Sequence, residues 1–339
     1  MSSSPSSNPQ LRPVGSKSPL FQILLCFSAG LAAFRATEEE VLRRIVGLGS
    51  CGVDFLAQVE EYPSPDDKIR TTDFKVFGGG NAANTLSALG KLGNSAQIVT
   101  IIYGQKIGKD ANGEMIMKEL ESAGVGVDFV LQSDRTPSPF TYVIVDKKSS
   151  TRTCIHTPAT EELSPDGEML DNCSWVHLDG RHTPAATKLG ELANSKGVLV
   201  SLDVEKDRPG LAKLLTKANM LFTNSKYPHI FAEKHGDDSK DIEANMKTIL
   251  LQLPRLQFVV STMGADGSIA VVRENNGEEE EEEGKGKDNR FLTFRCQAWQ
   301  IDAKDIVDTT GAGDAYIAGV IHALVRKQSL ESGMKLGRV

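Results

Sequence analysis

Apolar positions along this chain fall into two regimes. Up to about residue 157 they form short runs separated by turn residues, and from residue 175 they alternate between strand and helix periods. In the first regime, 45–48 reads as a short apolar strand. Residues 55–59 and 69–77 flank a Pro-Ser-Pro-Asp-Asp turn and predict a hairpin. Residues 80–92 predict a helix, 97–102 a strand, and 111–123 a helix ended by Gly124. A second hairpin is predicted from 140–145 and 151–156, around the turn 147–150. In the second regime the order is strand 175–178, helix 184–195, strand 198–202, helix 212–218, strand 220–223, helix 242–251 and strand 258–261. Strict alternation of this kind predicts an α/β domain with a parallel sheet covered on both faces. The two hairpins do not fit that alternation and imply a separate small sheet.

Composition narrows the picture. With 339 residues, 40% hydrophobic and 24% charged, the chain can bury a large core. The net charge of −7, without a basic stripe interleaved with aromatics, argues against a nucleic-acid groove. The five cysteines form no C-x-x-C pair and the six histidines show no ligand spacing, so a reducing compartment suits the chain better than a disulfide framework. Residues 1–40 carry no acidic group before Glu38, are rich in Ser, and contain an interrupted apolar stretch at 20–34 that is too short for a membrane span. They read as a targeting segment or a disordered tail. A plastid or cytosolic location is expected rather than a secretory one. Six consecutive glutamates, Glu278 to Glu283, lie within 274–290 and predict a solvated acidic loop between strands. The run lacks the spaced ligands and turn glycine of a calcium loop.

Two stretches carry candidate chemistry. In Val307-Asp308-Thr309-Thr310-Gly311-Ala312-Gly313-Asp314 a Gly turn opens the apolar helix 315–325. Unpaired N–H groups at such a helix start attract an anion, and a carboxylate beside them suits phosphoryl transfer, with Asp314 taking the proton of an attacking hydroxyl. An Asp-capped helix after a Gly turn is the simpler reading of the same residues. The second stretch, Gly78-Gly79-Gly80-Asn81-Ala82-Ala83-Asn84, puts two amides three residues apart on one helical face, as a polyol site requires, or else is a Gly loop with an Asn cap.

Together, in this order, the two stretches resemble the signatures of the PfkB (ribokinase-like) carbohydrate kinase family over about 45–339. Within that family the chain is most similar to ketohexokinase-like members. This further likeness rests on Tyr62-Pro63 with Asp66 and Ile69-Arg70, Thr136-Pro137-Ser138, Thr151-Arg152-Thr153, Trp175-Val176-His177-Leu178-Asp179-Gly180-Arg181 and Val204-Glu205-Lys206. The resemblance implies a ribokinase-like fold at 41–339, a mostly parallel sheet with helices on both faces and a β-sheet lid formed by hairpins at about 54–77 and 136–157. It implies ATP-dependent phosphorylation of a hydroxyl on a ketohexose-like or ribose-like sugar, with Mg²⁺ arriving with ATP. A nucleoside kinase, or a catalytically weak relative acting as a binding protein, is the alternative.

Residue by residue, the resemblance implies Asp314 as base and Gly311, Ala312 and Gly313 as stabilisers of the transferring group. Asp54, Gly80, Asn81 and Asn84 would bind the sugar, Asp54 from the end of the first strand, and Asp66 and Arg152 would reach in from the lid. Lys206, Asn224, Thr262, Gly264 and Gly267 would contact ATP. Asp308 and Thr310 would help hold a monovalent cation such as K⁺, and two copies would associate through their lid sheets. Two departures stand out. Tyr227 occupies the position where many members have a glutamate near magnesium, and only 25 residues follow Asp314, so an incomplete adenine wall and weak ATP affinity are expected.

Gly47-Leu48-Gly49-Ser50-Cys51-Gly52 matches the dinucleotide fingerprint G-x-G-x-x-G. A dehydrogenase would need a helix to follow at once, but the chain continues with an apolar, strand-like run to Pro63, so this reading is set aside.

Overall fold

Apolar runs in the second half of the chain become strands buried on both faces. The computed structural model describes residues 43–93, 99–149, 151–274, 290–302 and 309–338. Targeting segment 1–40, most of the acidic loop at 274–290, and Asp308 lie outside the described residues. The order is β1 (Arg43–Leu48), β2 (Gly52–Val59), β3 (Asp73–Gly79), α1 (Asn81–Gly93), β4 (Val99–Gly108), α2 (Ala111–Ser122), β5 (Val125–Ser133), β6 (Phe140–Asp146), β7 (Thr151–Thr157) and β8 (Cys173–Leu178). It continues with α3 (Thr183–Ser195), β9 (Leu199–Val204), α4 (Leu211–Leu215), β10 (Met220–Asn224), α5 (Tyr227–Lys234), α6 (Ile242–Gln252), β11 (Phe258–Thr262), β12 (Ser268–Arg273), β13 (Phe291–Cys296), α7 (Ala312–Val325) and α8 (Leu330–Gly337).

The large sheet runs β13-β12-β11-β10-β9-β8-β1-β4-β5. Its pairs from β11 to β5 are parallel, and β12 and β13 add an antiparallel edge. One face packs under α1, α2, α7 and α8 through Leu86, Ile116, Ile317, Val320, Ile321 and Met334. The opposite face packs under α3 to α6 through Leu189, Leu214, Tyr227 and Met246. Each such side chain, fully buried, contributes about 1.5–3 kcal/mol. In α7 every position from Tyr316 to Val325 except His322 is buried, because the helix is covered by the sheet, α1 and α8; the Tyr316 hydroxyl also donates to Ser268 Oγ on β12 at 2.7 Å.

The second sheet has order β3-β2-β6-β7, and its central pair, β2 with β6, is parallel. The strand at β2 starts before its first predicted residue, and this moves Asp54. It does not project from the end of the first strand of the large sheet. It lies inside β2, opposite Phe77 and Thr141. The chain turns at Gly49 to Cys51 and re-enters as a strand, so the fingerprint glycines serve packing. A Cβ at Gly47 would meet Leu86, and one at Gly49 would meet Asp179 and stand 2.7 Å from the Ala82 methyl. Among the described residues the four cysteines are free, and no helix is long and apolar enough to cross a membrane.

Candidate active site

Parallel sheets bind ligands beyond the carboxyl ends of their strands, at the point where the strand order reverses. Here the order reverses between β1 and β8. At that point the chain leaves β1 through Gly49 and Ser50, leaves β8 through Asp179, and carries Asp203 in the adjacent β9. Because Leu178 pairs with Leu202, Asp179 and Asp203 stand one step further along the same register.

Asp179 is buried and fully engaged. It accepts from Ser50 N at 2.6 Å, Ser50 Oγ at 2.6 Å and Ala82 N at 3.2 Å through one oxygen, and from Arg181 N at 3.1 Å through the other. It thereby caps the start of α1, where the helix dipole favours a negative charge. Ser50 Oγ in turn accepts from Asn81 N at 3.0 Å. Gly80, with φ 100°, lets the chain enter α1 against the Ser50 carbonyl; a Cβ there would also stand 2.6 Å from Cys51 Cα.

The two amides each hold a carboxylate. Asn81 Nδ2 donates to Asp203 Oδ2 at 3.1 Å, and Asn84 Nδ2 donates to Asp314 Oδ2 at 2.9 Å. Asp314 sits in the first turn of α7, behind Gly311, whose φ of 76° starts the helix. Burial pushes the Asp314 carboxyl up to about 7; Glu205 and Asp179 add to the rise, while Asn84 and Arg181 oppose it. Asp203 is also raised well above the usual range, first by burial and then by the charge of Asp314. A carboxylate near pH 7 suits proton abstraction at neutral pH.

The small sheet faces this floor. Asp54, Thr141 and His156 form one cross-strand row. Burial raises Asp54, against the Thr141 hydroxyl, His156 and Arg152. Arg152 Nη1 donates to Thr310 Oγ1 at 2.8 Å, tying β7 to the turn before α7. Thr310 is thus held by a cation, and its partner in the expected cation shell, Asp308, lies outside the described residues. Asp66 occupies an exposed turn with φ 73°, and no contact joins it to the other site residues among those described.

The candidate nucleotide residues follow along the same sheet edge. Lys206 is exposed in the loop after β9. Asn224, at the end of β10, donates to Glu205 O at 3.1 Å and accepts from Lys226 N and Tyr227 N at 3.1 and 3.0 Å. Tyr227, in place of the family's glutamate, turns into the core against Phe231. Thr262 ends β11, and the turn after it closes through Met263 N to Gly267 O at 2.7 Å and Gly267 N to Gly264 O at 3.0 Å. Sequence reasoning gave no role to Ser50, Asp179, Asp203, Glu205, Arg181 or Arg208. An Asp at or just past the end of an apolar strand was the available signal for Asp179 and Asp203.

A family model described as pfkB family carbohydrate kinase matches residues 42–339. The chain is 23% identical over 319 residues to a ribokinase of Dictyostelium discoideum, covering 87% of this chain and 93% of that one. It is 23% identical over 307 residues to a ketohexokinase of Mus musculus, with the same coverage. The structure of Arabidopsis thaliana ribokinase complexed with ribose and ATP superposes with a TM-score of 0.70 at 21% identity, covering 87% of this chain and 90% of that one.

Proposed function

This chain belongs to the pfkB family of carbohydrate kinases, and we propose from that membership that it transfers the γ-phosphoryl group of ATP to a sugar hydroxyl, with Asp314 as the base. The observation that carries this reading is the buried Asp314 carboxylate, held by Asn84 at 2.9 Å at the N-terminus of α7 and titrating at about 7. The sugar oxygen attacks the γ-phosphorus as Asp314 takes its proton. The bond from that phosphorus to the bridging oxygen breaks, and ADP leaves with the bond's electrons. The N–H groups at the start of α7 stabilise charge on the transferring oxygens. Asp54, Asn81 and Asn84 orient the acceptor.

ATP lies on the side of Asn224, Thr262, Gly264 and Gly267, with Lys206 within reach of a phosphate. Mg²⁺ would enter with ATP, held mainly by phosphate oxygens and water, and would supply neutralisation of phosphate charge there. Two copies associate through the small sheet's outer face. There Phe55, Val76, Tyr142 and Ile155 form one row, and Phe74 and Tyr142 are 56% and 51% exposed. An equilibrium sedimentation run giving only monomer at micromolar concentration would remove this part.

The test of the main reading is a screen of ketohexoses, pentoses and nucleosides for ADP release, run beside Asp314→Asn. Turnover on one sugar class that collapses in the variant supports it. Turnover on nucleosides alone moves the acceptor class, and binding of sugar and ATP without turnover makes the chain a binding protein.

A further inference from the structure

The reading above uses the carboxylates and amides of the site and leaves Arg181 and Arg208 without a task. Arg181 lies in the loop from β8 to α3, and Arg208 in the loop from β9 to α4. The loops are locked together, because Thr183 Oγ1 donates to Pro209 O at 2.8 Å and Gly210, with φ 81°, approaches the same Thr183 side chain. Adjacent strands therefore place two guanidinium groups on adjacent loops at the switch point. Both side chains are half-buried. Among the described residues neither forms an ion pair; Asp179 takes its hydrogen bonds from Ser50, Ala82 and the Arg181 backbone, Asp203 from Asn81, and Asp314 from Asn84, while Glu205 acts on Arg208 through its charge alone.

Two histidines close the group. His156 of β7 reaches Thr141 Oγ1 at 3.2 Å beside Asp54. Burial disfavours its protonation first, then Arg181, with smaller effects from His182 and Arg208, while Asp54 opposes them. His182 has φ 48°, left-handed for a residue with a side chain, and its Nδ1 lies 3.4 Å from Glu162 Oε1. Backbone strain of this kind concentrates at ligand sites. Arg208 is likewise depressed, first by burial and then by the charge of Arg181, against the opposing charges of Asp179, Glu205 and Asp203. Two half-buried guanidinium groups on adjacent loops, with their N–H donors outside any ion pair among the described residues, present forks that a bound anion can accept from.

We propose that Arg181 and Arg208, with His156, form a subsite for an anionic substituent, a phosphate or a carboxylate, on the acceptor sugar. The inference rests on the kinase reading and narrows its substrate class to charged sugars. The hydroxyl to be phosphorylated faces Asp314, other hydroxyls meet Asp54 and Asn81, and the anionic end lies beneath the small sheet. In the sheet order β10 separates these loops from β11, so the subsite is on the acceptor side and apart from the Thr262 turn.

The experiment measures binding as well as turnover, so that it does not depend on catalysis. Isothermal titration compares ribose with ribose 5-phosphate, fructose with fructose 6-phosphate, and glucose with gluconate, against wild type, Arg181→Gln and Arg208→Gln. Circular dichroism and melting temperature establish that each variant folds, and Arg208→Lys serves where Arg208→Gln does not. The charged member of at least one pair is expected to bind about tenfold or more tightly than its neutral partner, with an advantage that shrinks as salt rises and is lost in the glutamine variants. Phosphate pairs and the gluconate pair separate the two anions. Equal binding of neutral and charged partners overturns the proposal, and so does a variant that weakens ATP by the same factor with every acceptor. Turnover on neutral sugars with no charge preference refutes the subsite but leaves the kinase reading standing. Tight binding of charged sugars without turnover on any acceptor does the reverse.

Discussion

The half of the site proposed for the acceptor and the half proposed for the nucleotide are built differently. In the first, buried Ser50, Asp179, Asp203 and Asp314 and half-buried Asn81 and Asn84 are bonded to one another, as in Ser50 to Asp179, Asn81 to Asp203 and Asn84 to Asp314. Around the nucleotide, Lys206 is exposed, Asn224 spends its amide on backbone, and a Cβ at Gly264 would meet nothing within 4 Å. The first half is pre-organised by its own polar network, so changes there should act on catalysis and on folding together. The second is a row of backbone turns, where single side chains should matter less.

The largest expected effect tests the centre of the acceptor half. Asp314→Asn keeps the size and much of the hydrogen bonding of the side chain, and kcat should fall by about 10² to 10⁴-fold with little change in sugar affinity. The wild-type rate should rise with pH through about 7, as the carboxyl loses its proton. Near-normal turnover in the variant would remove the base from the mechanism. Next comes a pair of glycines. Gly80→Ala meets the Ser50 carbonyl at φ 100° and should cost about 3 kcal/mol or more, whereas Gly264→Ala at φ 58° meets open space and should cost about 1 kcal/mol. Equal losses in chemical denaturation would erase the contrast between the halves.

Smaller effects sharpen the same contrast. Asn81→Ala or Asn84→Ala leaves a buried carboxylate oxygen and sugar hydroxyls without a donor, and should weaken sugar binding by about 1–3 kcal/mol while ATP affinity holds. Lys206→Ala should shift ATP affinity by only a few-fold; a loss as large as that of Asn84→Ala on sugar would reverse the ranking. The smallest effect is in stability against pH. The folded chain keeps a proton on Asp314 that the unfolded chain loses from about pH 4 upward, so this group makes stability fall as pH rises from about 4 to 7, and the cost is constant above that. Asp203, also raised, acts in the same direction. Asp203→Asn should therefore raise the melting temperature by several degrees at pH 8 and by little at pH 4. The opposite pattern would mean that the cluster is ionised and stabilising.

Legibility in the sequence follows the same division. The alternation after residue 175 predicted β8 to β11 and their helices to within a few residues, because strand and helix periods are local properties of an apolar run. The sequence reading missed β5 and α5 and gave β12 and β13 only as the unbounded strands on either side of the acidic segment. Of these, α5 starts beneath the Asn224 side chain, which accepts from Lys226 N and Tyr227 N, and β12 and β13 are joined by the acidic segment that interrupts the pattern. The Gly turns at Gly80 and Gly311 and the residues beside them were readable, since a positive φ and a helix start are written in neighbouring residues.

By itself, then, the sequence determined the α/β architecture, the two glycine-marked helix starts and the family to which they point. The tertiary structure alone decided that Asn84 meets Asp314, 230 residues away, that Asp179 caps α1 from the end of β8, that Asp54 lies inside β2 opposite Phe77 and Thr141, and that Arg181 and Arg208 stand on adjacent, bonded loops. The physical reason is range. Backbone conformation and apolar period depend on residues within a turn or two, whereas burial, the field of other charges and the choice of hydrogen-bond partner exist only once distant strands lie side by side.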